Sequence, residues 1–304
     1  IVTTDMMNEG IHFDLSFCSP YHIGFKLVSV NISDIMAMGG KPAYLFLDIA
    51  VKPDTDEQWF NALYEGISAS MDLYGVRLLG GDLCGAKNDM AFAATAIGFG
   101  KKIITRKGAS PGDKIYVTGV LGDSACGLAL LQGLTDESKS KVKNSRFGTA
   151  GENKKDNEEE FLSLTQKSIN RHTAEPLLSR HLTPVARDSS EIAKTATAMI
   201  DVSDGLFIDL SRVCDESNTG ARIYFDRLPV SEETNVVSEV LGLDVLQLAV
   251  SGGEDYELLF TASADISVPG LKITCIGEVT EKDRVVIDEA GREFPLIAKG
   301  YEHF

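Results

Sequence analysis

No apolar run approaches the ~18 residues that a membrane-spanning helix needs, and no signal peptide is visible. No Cys-x-x-Cys pair occurs among Cys18, Cys84, Cys126, Cys214 and Cys275. Five widely spaced cysteines, odd in number, fit neither a zinc site nor a disulfide framework, and they point to a reducing cytoplasm. Cationic residues are scarce: the formal net charge is −16. That argues against nucleic acid as the main partner, because neutralising a phosphate backbone takes clustered Lys and Arg. Phosphate-binding signatures of the commonest kinases are missing too. There is no G-x-x-x-x-G-K-[ST] loop, no H-R-D with a following D-F-G, and no G-x-S-x-G elbow.

What remains is ordinary in bulk: 304 residues, 43% hydrophobic and 24% charged, enough chain for one large or two medium domains with a core of normal size. Ile1–Thr4, Tyr44–Val51, Val76–Leu79 and Met90–Phe99 read as strands. Phe25–Met38 and Asp56–Tyr74 read as helices, the second with Trp59, Leu63, Ile67 and Met71 at helical spacing and a stop at Gly75. Gly108–Gly112 is a turn-rich joint. Beyond it Lys114–Thr118, Ala198–Val202, Glu257–Ala262 and Lys272–Glu278 read as strands, and Ser189–Thr197 and Leu206–Ser217 as helices. Strands alternating with helices give an α/β or α+β class. Between about residues 135 and 170 the composition turns polar and almost free of core residues, which predicts a solvent-exposed insert. The chain opens as the interior of a strand without an initiator methionine, so natural residues are expected to precede it.

The chemistry lies in aspartates at the ends of apolar strands and beside glycines. Asp5 follows Ile1–Thr4, Asp34 sits in Asn31-Ile32-Ser33-Asp34, Asp82 closes Gly80-Gly81-Asp82, and Asp201 and Asp204 flank Val202-Ser203 before Gly205. One such aspartate is ordinarily a cap or turn residue. Several of them suit Mg²⁺, which takes oxygen ligands and shares its shell with substrate phosphates. Glycine turns at 80–81, 119–122 and 252–253 let a backbone approach a ligand and offer amides to phosphate oxygens.

Thr3-Thr4-Asp5-Met6 with Glu9-Gly10-Ile11-His12-Phe13, Asn31 to Gly39, Gly80-Gly81-Asp82, Ile104-Thr105-Arg106, Asp201 to Leu206, Ser251-Gly252-Gly253-Glu254-Asp255-Tyr256-Glu257-Leu258 and the terminal Gly300 to Phe304 follow one another along the whole chain. In that order they resemble the thiamine-monophosphate kinase family, of the superfamily that includes aminoimidazole ribonucleotide synthetase and selenophosphate synthetase. The resemblance implies two domains. Residues 1–108 would form an N-terminal sheet domain that binds metal and ATP and pairs into a homodimer. Residues 109–304 would form a C-terminal α+β domain of the aminoimidazole ribonucleotide synthetase-like type, carrying the polar insert. It also implies the reaction, transfer of a phosphoryl group from ATP to thiamine monophosphate. The alternatives are another ATP-dependent synthetase of the superfamily and a non-catalytic nucleotide-binding protein.

Carried over position by position, the resemblance makes Thr3, Thr4, Asp5, Asp34, Asp82, Asp201 and Asp204 magnesium ligands, with Asp82 and Asp204 serving catalysis. Tyr64, Gly81, Arg106 and Ser203 match nucleotide contacts. His12, Glu254 and Tyr301 match substrate contacts, with Tyr301, rather than Phe304, as the aromatic face. The family's upstream Gly-Asp-Asp segment, which supplies one more metal-binding aspartate, would lie before Ile1. Phosphoryl transfer between two phosphates gathers negative charge, so a carboxylate-rich site in an acidic chain makes sense only with divalent cations between them.

Overall fold

The computed structural model describes residues 1–147, 161–164 and 167–300, and it divides into two compact units. The first comprises Ile1–Ile35, Lys41–Phe99 and Gly127–Ala186. The second comprises Met36–Gly40, Gly100–Cys126 and Arg187–Phe304.

The first unit is built on β1 (Val2–Asn8), α1 (Pro20–Ala37), β2 (Lys41–Val51), α2 (Glu57–Tyr74), β3 (Arg77–Gly85) and β4 (Ala91–Phe99). The strands lie in the order β1-β4-β2-β3, antiparallel except for the parallel β2–β3 pair that α2 connects. α2 begins where the Asp56 side chain accepts from the Trp59 amide and ends at Gly75 in the left-handed conformation, as its sequence predicts. α1 starts a turn earlier than the periodicity suggests, because Pro20 can open a helix, where its missing N–H is not needed.

One face of the sheet carries Met7, Leu45, Leu47, Ile49, Phe92, Ala94 and Ala96, all buried. Trp59 of α2 stacks on Phe92, and Gly98 of β4 closes on Ile35 of α1. α1 and α2 touch backbone to backbone: a β-carbon at Gly24 would lie 2.2 Å from the Leu63 carbonyl oxygen, and one at Gly66 would lie 2.0 Å from that of Tyr21. The opposite face exposes Val2, Met6 and Phe46.

The strand expected to stop at Leu79 instead runs through Gly80-Gly81-Asp82 to Gly85. The glycines are not a turn. Gly81 presses on β2, where a β-carbon would meet the Leu47 carbonyl oxygen at 1.7 Å, and a register shift at Leu45/Phe46 accommodates it.

β5 (Lys114–Thr118) belongs to the second unit. α3 (Asp123–Gly133) crosses the division, and α4 (Asp136–Lys143), β6 (Phe161–Ser163), β7 (Ser168–Asn170) and α5 (Arg171–Leu182) return to the first. This segment corrects the expectation of an insert without core residues. Val142, Phe147, Leu162, Leu164 and Ile169 are buried, Thr135 caps α4, and the Ser163 amide donates to the Ser138 hydroxyl. The apolar residues are too sparse for periodicity to reveal them. The most charged part, Lys154 to Glu160, lies outside the described residues.

The second unit is completed by β8 (Ala198–Asp201), α6 (Leu206–Ser217), β9 (Gly220–Tyr224), α7 (Glu232–Leu241), α8 (Val245–Ser251), β10 (Leu258–Ala262), β11 (Ile273–Thr280), β12 (Arg284–Ile287) and β13 (Glu293–Pro295). Its seven strands run β13-β12-β9-β11-β5-β10-β8. The central strands are covered on both faces. Ile115, Val117, Ile200 and Leu259 join the core formed with Leu206, Leu210 and Val213 of α6, whereas Tyr116, Met199 and Phe260 join a second cluster with Ile104 and Ile192. Burial on both faces explains why these strands read as continuous apolar runs rather than alternating ones. Ser189–Thr197, expected as a helix, forms only a short 3₁₀ turn at Ile192–Lys194.

Candidate active site

In the first unit, β1 brings Thr3 and Asp5 to the side of the sheet that α1 covers. The Thr3 hydroxyl donates to Asp34 Oδ2 at 2.5 Å, and the Asp5 amide donates to Asn31 Oδ1 at 3.0 Å. Residues 31 and 34 are one turn apart on α1, so a single helix face receives both. Thr4 points to the other face, where its hydroxyl donates to the Ala94 carbonyl and accepts from Thr95.

β1 then leads into Glu9, which is fixed by Lys52 at 2.5 Å and by the Met90 amide. His12 follows, with its Nδ1 accepting from the Asn8 amide at 3.0 Å and its carbonyl receiving the ammonium of buried Lys26 at 3.4 Å. The ring is thus oriented by its own turn and is not packed as a core histidine.

Asp82 stands elsewhere. Through the strand register Asp5 aligns with Ala94, Leu47 and Gly81, whereas Asp82 aligns with Asp48, Ala93 and Met6, on the opposite face. Asp48, which the motifs do not mark, is therefore the immediate neighbour of Asp82 across the parallel pair, and both are exposed. Tyr64 is exposed on α2. Gly81 adjoins Asp82 in the β3 edge strand.

In the second unit, β8 ends at buried Asp201, and the loop Val202-Ser203-Asp204-Gly205 leads into α6. The amides of Ser203, Asp204 and Gly205 all donate to Asp209 Oδ2, at 3.1, 3.1 and 3.2 Å. Arg212 Nη1 spans Asp204 Oδ2 and Asp209 Oδ1, each at 2.6 Å. Burial pushes the Asp209 carboxyl up to about 6, against the pull of Arg212. Sequence motifs miss both Asp209 and Arg212; their i, i+3 spacing on α6 is the available signal.

Gly300 closes on the same loop, where a β-carbon would fall 2.5 Å from the Asp204 carbonyl oxygen. Tyr301 and Phe304 lie outside the described residues. Arg106 is exposed, and its carbonyl accepts from the Ser217 hydroxyl at 3.0 Å. Glu254 follows Gly253 in the loop before β10, and its amide donates to the Ser203 carbonyl at 2.7 Å.

Among the described residues no group of three or more His, Cys, Asp or Glu is gathered as a ready metal cage. The donors that the motifs select are hydroxyl and carboxylate oxygens without thiol or imidazole, a set that suits a hard divalent cation.

Residues 1–99 match the family model described as AIR synthase related protein, N-terminal domain, and residues 110–289 match the corresponding C-terminal domain. The chain is thus an AIR synthase-related protein. Relatives matched over the whole chain narrow the class. One is the thiamine-monophosphate kinase of Aquifex aeolicus (strain VF5), 31% identical over 306 residues, spanning 100% of this chain and 88% of the relative. Another is that of Escherichia coli (strain K12), 33% identical over 314 residues, spanning 100% and 86%. Among solved structures, AaThiL complexed with AMPPCP and TMP matches with a TM-score of 0.79 at 29% identity, covering 100% of this chain and 86% of that one. The chain belongs to the thiamine-monophosphate kinase family.

Proposed function

We propose that this protein transfers the γ-phosphoryl group of ATP to the phosphate of thiamine monophosphate, giving thiamine diphosphate and ADP. The carrying observation is the chain-long match to thiamine-monophosphate kinases, about a third identical, together with the solved relative complexed with AMPPCP and TMP.

Magnesium is the cation the oxygen donors suit. Thr3, Asp5 and Asp34 on one face of the first sheet, Thr4 and Asp82 on the other, and Asp201 and Asp204 in the second unit are proposed to hold it as separate groups, with Asp82 and Asp204 nearest the chemistry. When bound, such ions offset the negative charge of two phosphorylated reactants. The chain's own contribution is placement. Thr3 fixes the Asp34 carboxylate, and Arg212 with Asp209 fixes Asp204 and the amides around it. Tyr64, Gly81, Arg106 and Ser203 take the nucleotide. His12, Glu254 and Tyr301 take thiamine monophosphate. The acceptor phosphate is ionised near neutral pH, so no strong general base is required.

We place the functional division at residues 1–108 and 109–304, on the ground that the family models end and begin on either side of residue 108, although Gly127–Ala186 pack in the first compact unit. A homodimer is proposed through the exposed face of the first sheet, where Val2, Met6 and Phe46 lie on the same face as Asp48 and Asp82. Among the described residues no helix is long and apolar enough to cross a membrane, and a cytoplasmic location accords with the cysteine pattern.

The test is ADP release on adding thiamine monophosphate to the protein with ATP and Mg²⁺. Turnover that needs both thiamine monophosphate and Mg²⁺ is expected; its absence overturns the reading.

A further inference from the structure

Three non-glycine residues among those described adopt positive φ: Asn218, Glu254 and Tyr256. Asn218 is explained by its place as the left-handed cap of α6. Glu254 (φ 63°) and Tyr256 (φ 49°) have no such explanation and flank a single residue, Asp255. Left-handed backbone is unfavourable for residues with a β-carbon, so two within three positions persist only where the surroundings impose them.

Asp255 is the centre of that constraint. It is fully buried, at 0% exposure. Its Oδ2 accepts from the Gly122 amide at 2.7 Å and its Oδ1 from the Ser124 amide at 3.1 Å. Buried carboxylates bonded to amides are among the stronger hydrogen-bonded pairs. On either side the backbone is tied to the loop after β8: the Glu254 amide donates to the Ser203 carbonyl and the Tyr256 amide, at 2.9 Å, to that of Val202.

Glu257, likewise at 0% exposure, completes the frame. It accepts from the Thr118 hydroxyl at 2.6 Å and from Arg187 through Nε at 2.7 Å and Nη2 at 2.6 Å. Its carboxylate fills the space beside Gly119, where a β-carbon would lie 2.1 Å from Glu257 Oε1.

We infer that Asp255 is a positioning residue for the kinase reaction: clamped to the amides of Gly122 and Ser124, it holds Glu254 in its left-handed conformation and so sets the substrate contact made by Glu254. The inference rests on the proposed role of Glu254. Asp255, at 0% exposure, acts in this reading only through Glu254. The hydrogen bond from the Glu254 amide to the Ser203 carbonyl extends the same frame to the loop that carries Asp204, so the clamp acts on binding geometry rather than on proton transfer.

The experiment is a double-mutant cycle with Asp255→Asn and Glu254→Gln, read as KM for thiamine monophosphate and kcat separately. Asparagine keeps the shape but cannot serve both amides, and losing a hydrogen bond to a charged group is worth ~10-fold in an equilibrium constant. Each single variant is expected to raise KM by about 10-fold with kcat changed by less than about 3-fold, and the double variant to add little to either single one. Should Asp255→Asn not fold, Ser124→Pro removes one donor in the first turn of α3, where proline is tolerated, and the same KM rise is expected.

Glu254→Gln raising KM while Asp255→Asn or Ser124→Pro leaves it unchanged overturns the positioning role and keeps that of Glu254. Additive effects overturn it as well, since they place Asp255 on an independent path. A Glu254→Gln variant with unaltered KM removes the substrate contact, and the role of Asp255 falls with it.

Discussion

The Thr3 hydroxyl and the Asp34 carboxylate meet at 2.5 Å across 31 residues of chain, joining β1 to α1. Asp34→Asn is expected to lower Mg²⁺-dependent turnover by at least ~10²-fold, the scale of losing one preorganised electrostatic group at a reacting centre. Thr3→Val removes both this donor and a proposed Mg²⁺ ligand, and is expected to destabilise the protein by about 1 kcal/mol in chelator. Steady-state kinetics checks the first, and denaturant unfolding the second.

Asp82 and Asp48 sit side by side on β3 and β2, exposed and of like charge. Like charges directly opposite on neighbouring strands are unfavourable. Asp48→Asn is therefore expected to raise the unfolding midpoint measured in chelator, with turnover retained. Asp82→Ala is expected to abolish turnover while leaving the circular dichroism spectrum intact. Normal turnover in Asp82→Ala would remove that residue from the mechanism.

His22 is buried in α1 with both ring nitrogens used: Nδ1 accepts from the Ser19 amide at 3.2 Å, and Nε2 bonds the Ser145 carbonyl at 2.8 Å. Burial pulls its pKa down to about 4, with the carbonyl bond opposing. The unfolded chain takes up this proton near pH 6.5, so its stabilising contribution is complete above that value and is lost as pH falls towards 4. Between pH 7 and pH 5 the loss is about 2 kcal/mol. His22→Gln should flatten the fall in melting temperature over that interval; an unchanged slope would assign the acid sensitivity to other groups.

Gly66 sits where α2 meets the Tyr21 carbonyl of α1, and a methyl there has 2.0 Å in which to fit. Gly66→Ala must part the two helices and is expected to cost about 1–3 kcal/mol, despite the better helix propensity of alanine. Calorimetry decides the sign.

Much of this architecture is legible before any coordinates. The Asp56 cap, the Leu63 and Ile67 spacing and the Gly75 stop define α2 almost to the residue, because each signal is local. The strands ending at Asp201 and beginning at Leu258 are legible because burial on both faces leaves unbroken apolar runs. Gly80-Gly81 misleads for an equally physical reason. The same absence of side chain that permits a turn here permits an edge strand to press on Leu47, and only the partner strand decides which. Thr3 and Asp34 are visible individually, but their bond depends on how α1 lies on β1. Asp48 escapes because nothing in the sequence marks a carboxylate paired across strands, and Asp209 and Arg212 escape because their i, i+3 spacing marks an ion pair on α6 and not its bonds to the neighbouring loop.

The shared space of Gly119 and Glu257 restricts how this sequence can drift. A side chain at 119 would meet the acid at 257 and would also have to adopt the left-handed φ of 58°. Shortening that acid alone strands the Arg187 guanidinium and the Thr118 hydroxyl without their acceptor. Shortening the acid together with a change at 119 strands them all the same, so descendants of this chain should keep both residues, and random libraries should recover few changes at either position.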